Sequence, residues 1–122
     1  MRADLRGANL SNTNLHKARL LGANLSEARL EVADLREAKL LGVNLRKAYL
    51  RAANLTAADL TNAYVDGANF SETTLRDAKL HLCLQGTNLH LADLTGAEVR
   101  EEDLFQADFQ AITLPNGRFE RF

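Results

Sequence analysis

The sequence predicts an all-β solenoid: a four-sided parallel β-helix about six coils high, with residues 1–122 forming a single domain. Three observations predict it. An apolar residue recurs every five positions, Ala stands two places before most of these, and charges twenty positions apart are nearly always opposite in sign.

The repeat comes first. Leu occupies every fifth position from Leu5 to Leu60, and Val65, Phe70, Leu75 and Leu80 continue the register. One residue is then missing, and the series resumes through Leu84, Leu89, Leu94, Val99, Leu104, Phe109, Leu114 and Phe119. All 24 centres are apolar, and Ala fills 16 of the 24 sites two residues earlier. A polar residue sits between, often Asn or Asp, as at Asn9, Asn24, Asp34 and Asn44. On a helix, a period of five spreads the Leu residues around every face. On a straight strand, an odd period flips the side chain at each repeat. A chain that turns a corner once per repeat keeps Ala and Leu inside and the polar residue outside. Gly at the corners (Gly7, Gly22, Gly42, Gly67, Gly86, Gly96) suits turns that need positive φ.

Charge pairing sets the number of sides. Stacked coils bring equivalent residues to about 4.8 Å, where opposite charges attract. A coil of twenty residues stacks Lys17/Glu37, Glu27/Lys47, Glu31/Arg51, Lys39/Asp59, Arg46/Asp66, Asp59/Lys79, Arg100/Glu120 and Glu101/Arg121. Across the deletion, Lys79/Glu98 and Glu98/Arg118 join them, and only Arg19/Lys39 is alike. A fifteen-residue coil instead sets Arg2/Lys17, Arg36/Arg51 and Asp93/Asp108 together, all alike. Four sides are therefore expected, in a rod roughly 29 Å long.

Composition narrows the function. The net charge is −1, from 15 basic and 16 acidic residues, without the basic excess of a nucleic-acid binder. One cysteine, Cys83, forms no internal disulfide and fits a reducing, cytoplasmic setting. The opening Met1-Arg2-Ala3-Asp4-Leu5 is not a secretory leader, and no stretch is apolar enough to span a membrane.

The motifs Ala8-Asn9-Leu10-Ser11, Ala23-Asn24-Leu25-Ser26 and Ala58-Asp59-Leu60-Thr61 resemble the A(D/N)LXX repeats of the pentapeptide-repeat family, abundant in cyanobacteria. The resemblance covers essentially the whole chain. It implies that the quadrilateral β-helix is right-handed. Thr113-Leu114-Pro115-Asn116-Gly117-Arg118-Phe119 resembles the final coil of such proteins, so residues 111–122 are expected to be a closing coil.

Departures from the repeat are where function is sought. At Leu80-His81-Leu82-Cys83-Leu84, near 81–84, the register breaks and Leu82 replaces the inward Ala; this reads as a deletion reshaping one corner rather than a recognition bulge. His81, Cys83 and His90 have ligand chemistry suited to zinc, but His90 lies on another side and no fourth ligand has fitting spacing. They read as surface imidazoles and a packed thiol, with His16 equally isolated. Leu21, Leu41, Leu91 and Phe105 are expected at outward corners, with Leu21 stacked on Leu41. Tyr49 and Tyr64 interrupt the outward polar positions of neighbouring sides and read as packing across coils. Ile112, Phe109, Phe119 and Phe122 are expected to close the C-terminal interior. The repeat begins at Ala3 without a cap, so that end is expected to abut a domain, a subunit or further residues.

No catalytic, cofactor-binding or metal-binding constellation is recognised. The sequence shows no phosphate-cradling GxxxxGK[ST] loop, and its carboxylates are spread as stacked partners. The expected role is a non-enzymatic structural or protein-interaction module, needing no cofactor and taking no small-molecule substrate. Its partner is expected to be another protein, not nucleic acid or membrane, and the chain a monomer or end-to-end dimer. The resemblance offers two alternatives: a DNA-mimicking inhibitor or protector of a type II topoisomerase such as gyrase, and a repeat domain appended to a larger signalling protein. The alternating charges and the lack of a dimerising helix after Leu114 weaken the first.

Overall fold

The computed structural model describes residues 2–122; Met1, the first residue of the segment tested for a leader, lies outside them. The backbone advances as a coil in which each side contributes one bridging residue, parallel to its counterpart a coil later. Asn9, Arg29, Tyr49, Asn69, Asn88 and Asp108 form one such column. Asn14, Asp34, Asn54, Thr74, Asp93 and Thr113 form the next, also six levels high. The interval is 20 residues up to Asp59↔Lys79, and 19 for Asn69↔Asn88, Thr74↔Asp93 and Lys79↔Glu98, the rungs that span the deletion. Four repeats per coil follow directly.

The same hydrogen bonds recur at each level. The Leu N–H donates to the outward residue's carbonyl one coil on, as Leu25 does to Asn44 at 2.7 Å. The outward residue's own N–H donates one coil back, as Asn24 does to Ala3 at 2.9 Å. Each corner is closed within the coil, for example by the Ala28 N–H on the Leu25 carbonyl at 3.0 Å. Its third residue has positive φ, the pattern of a type II turn. Gly occupies it at Gly22 (φ 64°), but twelve residues that are not Gly adopt φ of 58–62°, from Asn12 to Leu91.

Outward Asn and Asp have a second task at these corners. The first corner residue turns its N–H away from the coil, and the side chain two places earlier accepts it. Asn54 Oδ1 takes the Thr56 N–H at 3.1 Å and its hydroxyl at 2.6 Å; Asp59 does the same for Thr61 at 3.0 and 2.6 Å. Asn9, Asn14, Asn24, Asp34, Asn44, Asn69, Asn88 and Asp93 repeat the backbone bond.

The interior is filled by the predicted Ala and Leu columns, with Leu25, Leu30, Leu50, Leu55 and Leu60 wholly buried. Three inward positions hold Thr, and their hydroxyls are satisfied by backbone carbonyls: Thr13 on Ser11 at 3.4 Å, Thr73 on Phe70 at 2.7 Å and Thr87 on Val65 at 3.2 Å. At the deletion the column Asp4, Asn24, Asn44, Tyr64 ends, because Cys83 makes no bridge to Tyr64. Leu82 turns inward to fill that level. An apolar gap of about 10 Å³ remains among Leu60, Phe70, Leu80, Leu82, Leu84 and Leu89, no larger than one water-sized sphere.

The C-terminal end differs from the expected closing coil. The inward slot of the Leu104 repeat holds Glu102, whose carboxylate would be costly to bury. The chain instead makes one α-helical turn, α1 (Glu101–Leu104), which buries Asp103 and leaves Glu102 exposed. Strand β1 (Ala111–Thr113) returns to the stack, with the Leu94 N–H on the Thr113 carbonyl at 2.9 Å. The chain then reverses through Pro115-Asn116-Gly117, with Gly117 at φ 85°, into β2 (Phe119–Arg121), antiparallel to β1. This hairpin leaves Phe119 about half exposed rather than inward. It also removes the expected stacks Arg100/Glu120, Glu101/Arg121 and Glu98/Arg118. Arg100 reaches Asp103 at 2.8 Å, and Arg118 reaches Glu120 at 3.4 Å. Among the described residues, no helix is long and apolar enough to cross a membrane.

Candidate interaction surface

With the interior filled, the chemistry lies on the outer columns. Two of the predicted stacked charges meet as ion pairs, Lys17–Glu37 at 4.0 Å and Arg46–Asp66 at 3.0 Å. Lys39, Asp59 and Lys79 share one column. Glu27/Lys47 and Glu31/Arg51 share corners of successive coils without meeting as ion pairs: Arg51 reaches diagonally to Glu72 at 2.9 Å. Other pairs lie within a coil, Asp4–Arg6 at 2.9 Å and Asp34–Arg36 at 2.7 Å. The Arg36 hydrogen bond holds the Asp34 carboxyl down at about 2, from an ordinary 3.8. Burial raises Asp59 and Asp93, but the hydroxyl and backbone donors of Thr61 and Thr95 outweigh it, with Arg76 helping at Asp93, so both end below the ordinary value.

The structure separates His81, Cys83 and His90. His81 Nε2 lies 3.2 Å from Glu98, Cys83 Sγ is 3.8 Å from Gln106 Oε1, and His90 Nδ1 accepts the Gln110 N–H at 3.2 Å. His16 faces Glu37 at 2.8 Å. Among the described residues, no three His, Cys, Asp or Glu side chains are grouped as metal ligands.

Most outward apolar residues fall into three places; Leu91, 42% exposed at its corner as expected, and Phe119 on β2 lie apart from them. Leu21, 48% exposed, and Leu41 sit on one corner as predicted, and they share a groove with Tyr64, Gly22, Gly42 and Asn62. Tyr49 and Val32 line a second groove with Arg51, Ala52, Asn69 and Glu72. At the C-terminal end, Phe105, Phe109 and Phe122 form a triad with ring centroids 5.5–6.0 Å apart.

Tyr49 and Tyr64 are not packed away between coils: each is about half exposed. The Arg46 guanidinium lies 4.5 Å from the Tyr64 ring, and that of Arg29 lies 5.9 Å from the Tyr49 ring. Each tyrosine stands at an outward position where many repeats have an Asn or Asp acceptor; like Arg19, Arg29, Lys39, Thr74 and Lys79, it offers none to the corner N–H two places on, that of Arg51 or Asp66. The signal in the sequence is the ring itself: Tyr49 and Tyr64 put exposed aromatics where the other outward positions carry polar or charged side chains.

Comparison with known proteins places this architecture. The pentapeptide-repeat family matches residues 2–31, 18–51, 31–63, 53–83 and 81–110. AT2G44920, a pentapeptide repeat protein from the Arabidopsis thaliana thylakoid lumen, superposes with a TM-score of 0.84 at 25% identity, over 96% of this chain and 83% of its own. Rfr23 from the cyanobacterium Cyanothece 51142 is 38% identical with a TM-score of 0.61; the match covers 79% of this chain but only 63% of Rfr23. A trypsin-treated variant of QnrB1, a plasmid-mediated fluoroquinolone resistance protein, gives 0.57 at 25% identity over 95% of this chain and 66% of QnrB1. None of the curated proteins matches the chain. With the repeat matched from residue 2 to residue 110 and the coil shared with solved relatives, the chain belongs to the pentapeptide-repeat family.

Proposed function

We propose that this chain is a non-enzymatic protein-interaction module, a rigid rod that binds a protein partner through the adjacent sides carrying Tyr49 and Tyr64. The supporting observation is the pair of half-exposed tyrosines, each with an arginine at its ring. Tyr and Arg dominate the energetics of protein interfaces, because a rigid amphipathic ring and a planar cation bury much area with little entropy loss. Val32, Leu21 and Leu41 supply apolar flanks. The interior gap has no room for a substrate. The coil takes the right hand of its relatives, since solenoids of opposite hand do not superpose along their length.

The test is capture of binding proteins by the parent chain and by a Tyr49→Ala/Tyr64→Ala variant from the same extract. A partner held through this surface binds the variant roughly 30-fold or more weakly, the loss expected of a hot-spot pair, while the thermal midpoint stays unchanged. Equal binding by both proteins refutes the surface. A DNA-mimicking role at gyrase requires a continuous acidic stripe, whereas the outward columns here alternate in sign, as in Lys39, Asp59, Lys79 and Glu98. A supercoiling assay separates the readings: inhibition at stoichiometric concentration would replace the one favoured here.

A further inference from the structure

One of the four outward columns is charged at every level. Arg19, Lys39, Asp59, Lys79 and Glu98 stack rung on rung, and from Lys39 onward the signs alternate. The other columns hold uncharged residues at several levels, such as Asn24 and Asn44, Asn69 and Asn88, or Asn54 and Thr74. Within the charged column only Asp59 serves its corner as an acceptor, for Thr61. Lys39, Lys79 and Glu98 are exposed, and Asp59 is half-buried. Both lysines act on Asp59 through their charge, yet among the described residues neither closes an ion pair with it. Glu98 meets His81 at 3.2 Å on the edge of this side. In chain order the side follows those of Tyr64, Tyr49 and Asp34, so it lies across the rod from Tyr49.

We propose that two copies of this chain pair side by side and antiparallel through this column. A two-fold axis crossing the rods between Asp59 and Lys79 sets Lys39 against the partner's Glu98 and Asp59 against the partner's Lys79. Symmetry repeats both contacts, so all four join opposite charges. A parallel pair would set like against like at every level. An antiparallel pair slipped by one coil would set Asp59 against Asp59, or Lys79 against Lys79. A single register is therefore favoured. The same operation puts charged corner residues opposite neutral ones: Glu37 opposite Gly96, Asp77 opposite Ala57 and Arg76 opposite Thr56. Arg19 lies one level beyond Lys39, opposite the level where the partner's chain has turned into the β1–β2 hairpin.

Alternation within one column already offsets charge between coils. A second copy adds an opposite charge in front of each one. Four levels at about 4.8 Å span roughly 19 Å, a smaller face than the ~800 Å² per partner of a standard interface. The pair is therefore weak and sensitive to salt. Because the axis is two-fold, association stops at the dimer. This contact is separate from the tyrosine surface and stands or falls without it.

Sedimentation velocity on the 122-residue chain tests it. The expected weight-average mass rises with protein concentration to that of a dimer and no further in about 0.01 M salt. It returns to the monomer in about 1 M salt, as the screening length falls from ~30 Å to ~3 Å. Lys39→Glu and Glu98→Lys variants each place like charges together twice across the two-fold, and each should associate at least about tenfold more weakly than the parent. Mixed in equal amounts, the two restore four opposite contacts and should associate as the parent does. Lys39→Gln and Glu98→Gln, which remove a charge without reversing it, serve if a reversal lowers the thermal midpoint. A parent that stays monomeric at low salt overturns the proposal. So does a mass that climbs past the dimer, a single variant that associates as well as the parent, or a mixture that fails to recover.

Discussion

The corner residues carry two opposed local effects. Asn54 satisfies an N–H and a hydroxyl of Thr56, so Asn54→Ala should cost about 1 kcal/mol, the usual net worth of such a bond. Thermal unfolding measures it; an unchanged midpoint would mean that water replaces the side chain at no cost. Val32 shows the other effect. It is β-branched and sits at φ 60°, where an L side chain crowds its own backbone. The left-handed region costs most residues about 1–2 kcal/mol and costs Asn less. Val32→Asn should therefore raise stability by roughly 1 kcal/mol, and Asn62→Val should lower it by a similar amount. The carboxylates at these corners also set the acid limit. Asp34, Glu37, Asp59 and Asp93 lie below their ordinary values in the folded chain, Asp34 at about 2. A depressed folded pKa stabilises above the unfolded pKa, and that stability is lost as protons are taken up. The thermal midpoint should thus be flat above about pH 5 and fall between roughly pH 4 and 2. An Asp34→Asn/Asp59→Asn/Asp93→Asn variant keeps the corner acceptors and should show a shallower fall; an identical profile would assign the acid sensitivity elsewhere.

At the scale of the repeat, one missing residue alters one side. Between Leu80 and Leu84 the chain lacks the positive-φ residue that every other corner from Gly7 to Gly96 has, so Cys83 does not bridge Tyr64 and Leu82 fills the inward slot. Leu82→Ala alone should cost about 2–4 kcal/mol, because it enlarges the gap already there. The same change combined with an Asn inserted between His81 and Leu82 should recover most of that, since it restores both the turn and the small inward residue. Amide exchange at Cys83 reports whether the ladder re-forms; continued fast exchange would show that the break does not arise from length. The Leu period and the one-residue gap made this element legible in the sequence. The C-terminal hairpin was less so, although Glu102 and Gly117 stand in inward slots and mark where the coil ends. The expected ion pairs agree with the structure at the level of the column but only partly at the side chains. Arg51 shows why: a long, flexible side chain reaches the neighbouring corner residue Glu72 rather than Glu31, and the repeat does not encode its rotamer. The tyrosine surface was visible as two departures from polarity. The arginines that lie at the two rings were not visible, because periodicity says nothing of side-chain rotamers.

Over the whole molecule, stability is a sum of coils and their interfaces, so position along the rod decides what a residue is worth. Leu50 lies between filled levels and is wholly buried; Leu10 likewise follows an inward Ala by two places, but among the described residues it meets only one neighbouring coil and is partly buried. Both side chains belong to the same side of the stack and both truncations remove the same side-chain atoms, so the difference reports chiefly on position along the rod. Leu50→Ala should cost about 3–4 kcal/mol, near the middle of the range for buried Leu, and Leu10→Ala about half that or less. The same gradient should appear in amide exchange. The Leu10 N–H, bonded to Arg29, should open by local fraying of the first coil, whereas the Leu50 N–H, bonded to Asn69, should open only with the global transition. The C-terminal end should not fray in the same way, because the β1–β2 hairpin and the Phe105–Phe109–Phe122 triad cover it. Phe109→Ala removes the ring of the three that is also packed against the core, and it should convert that end into a second fraying site, with faster exchange at Phe122 and little change at Leu10. Equal costs for the two Leu truncations, or uniform exchange along the rod, would mean that the solenoid unfolds as one cooperative block.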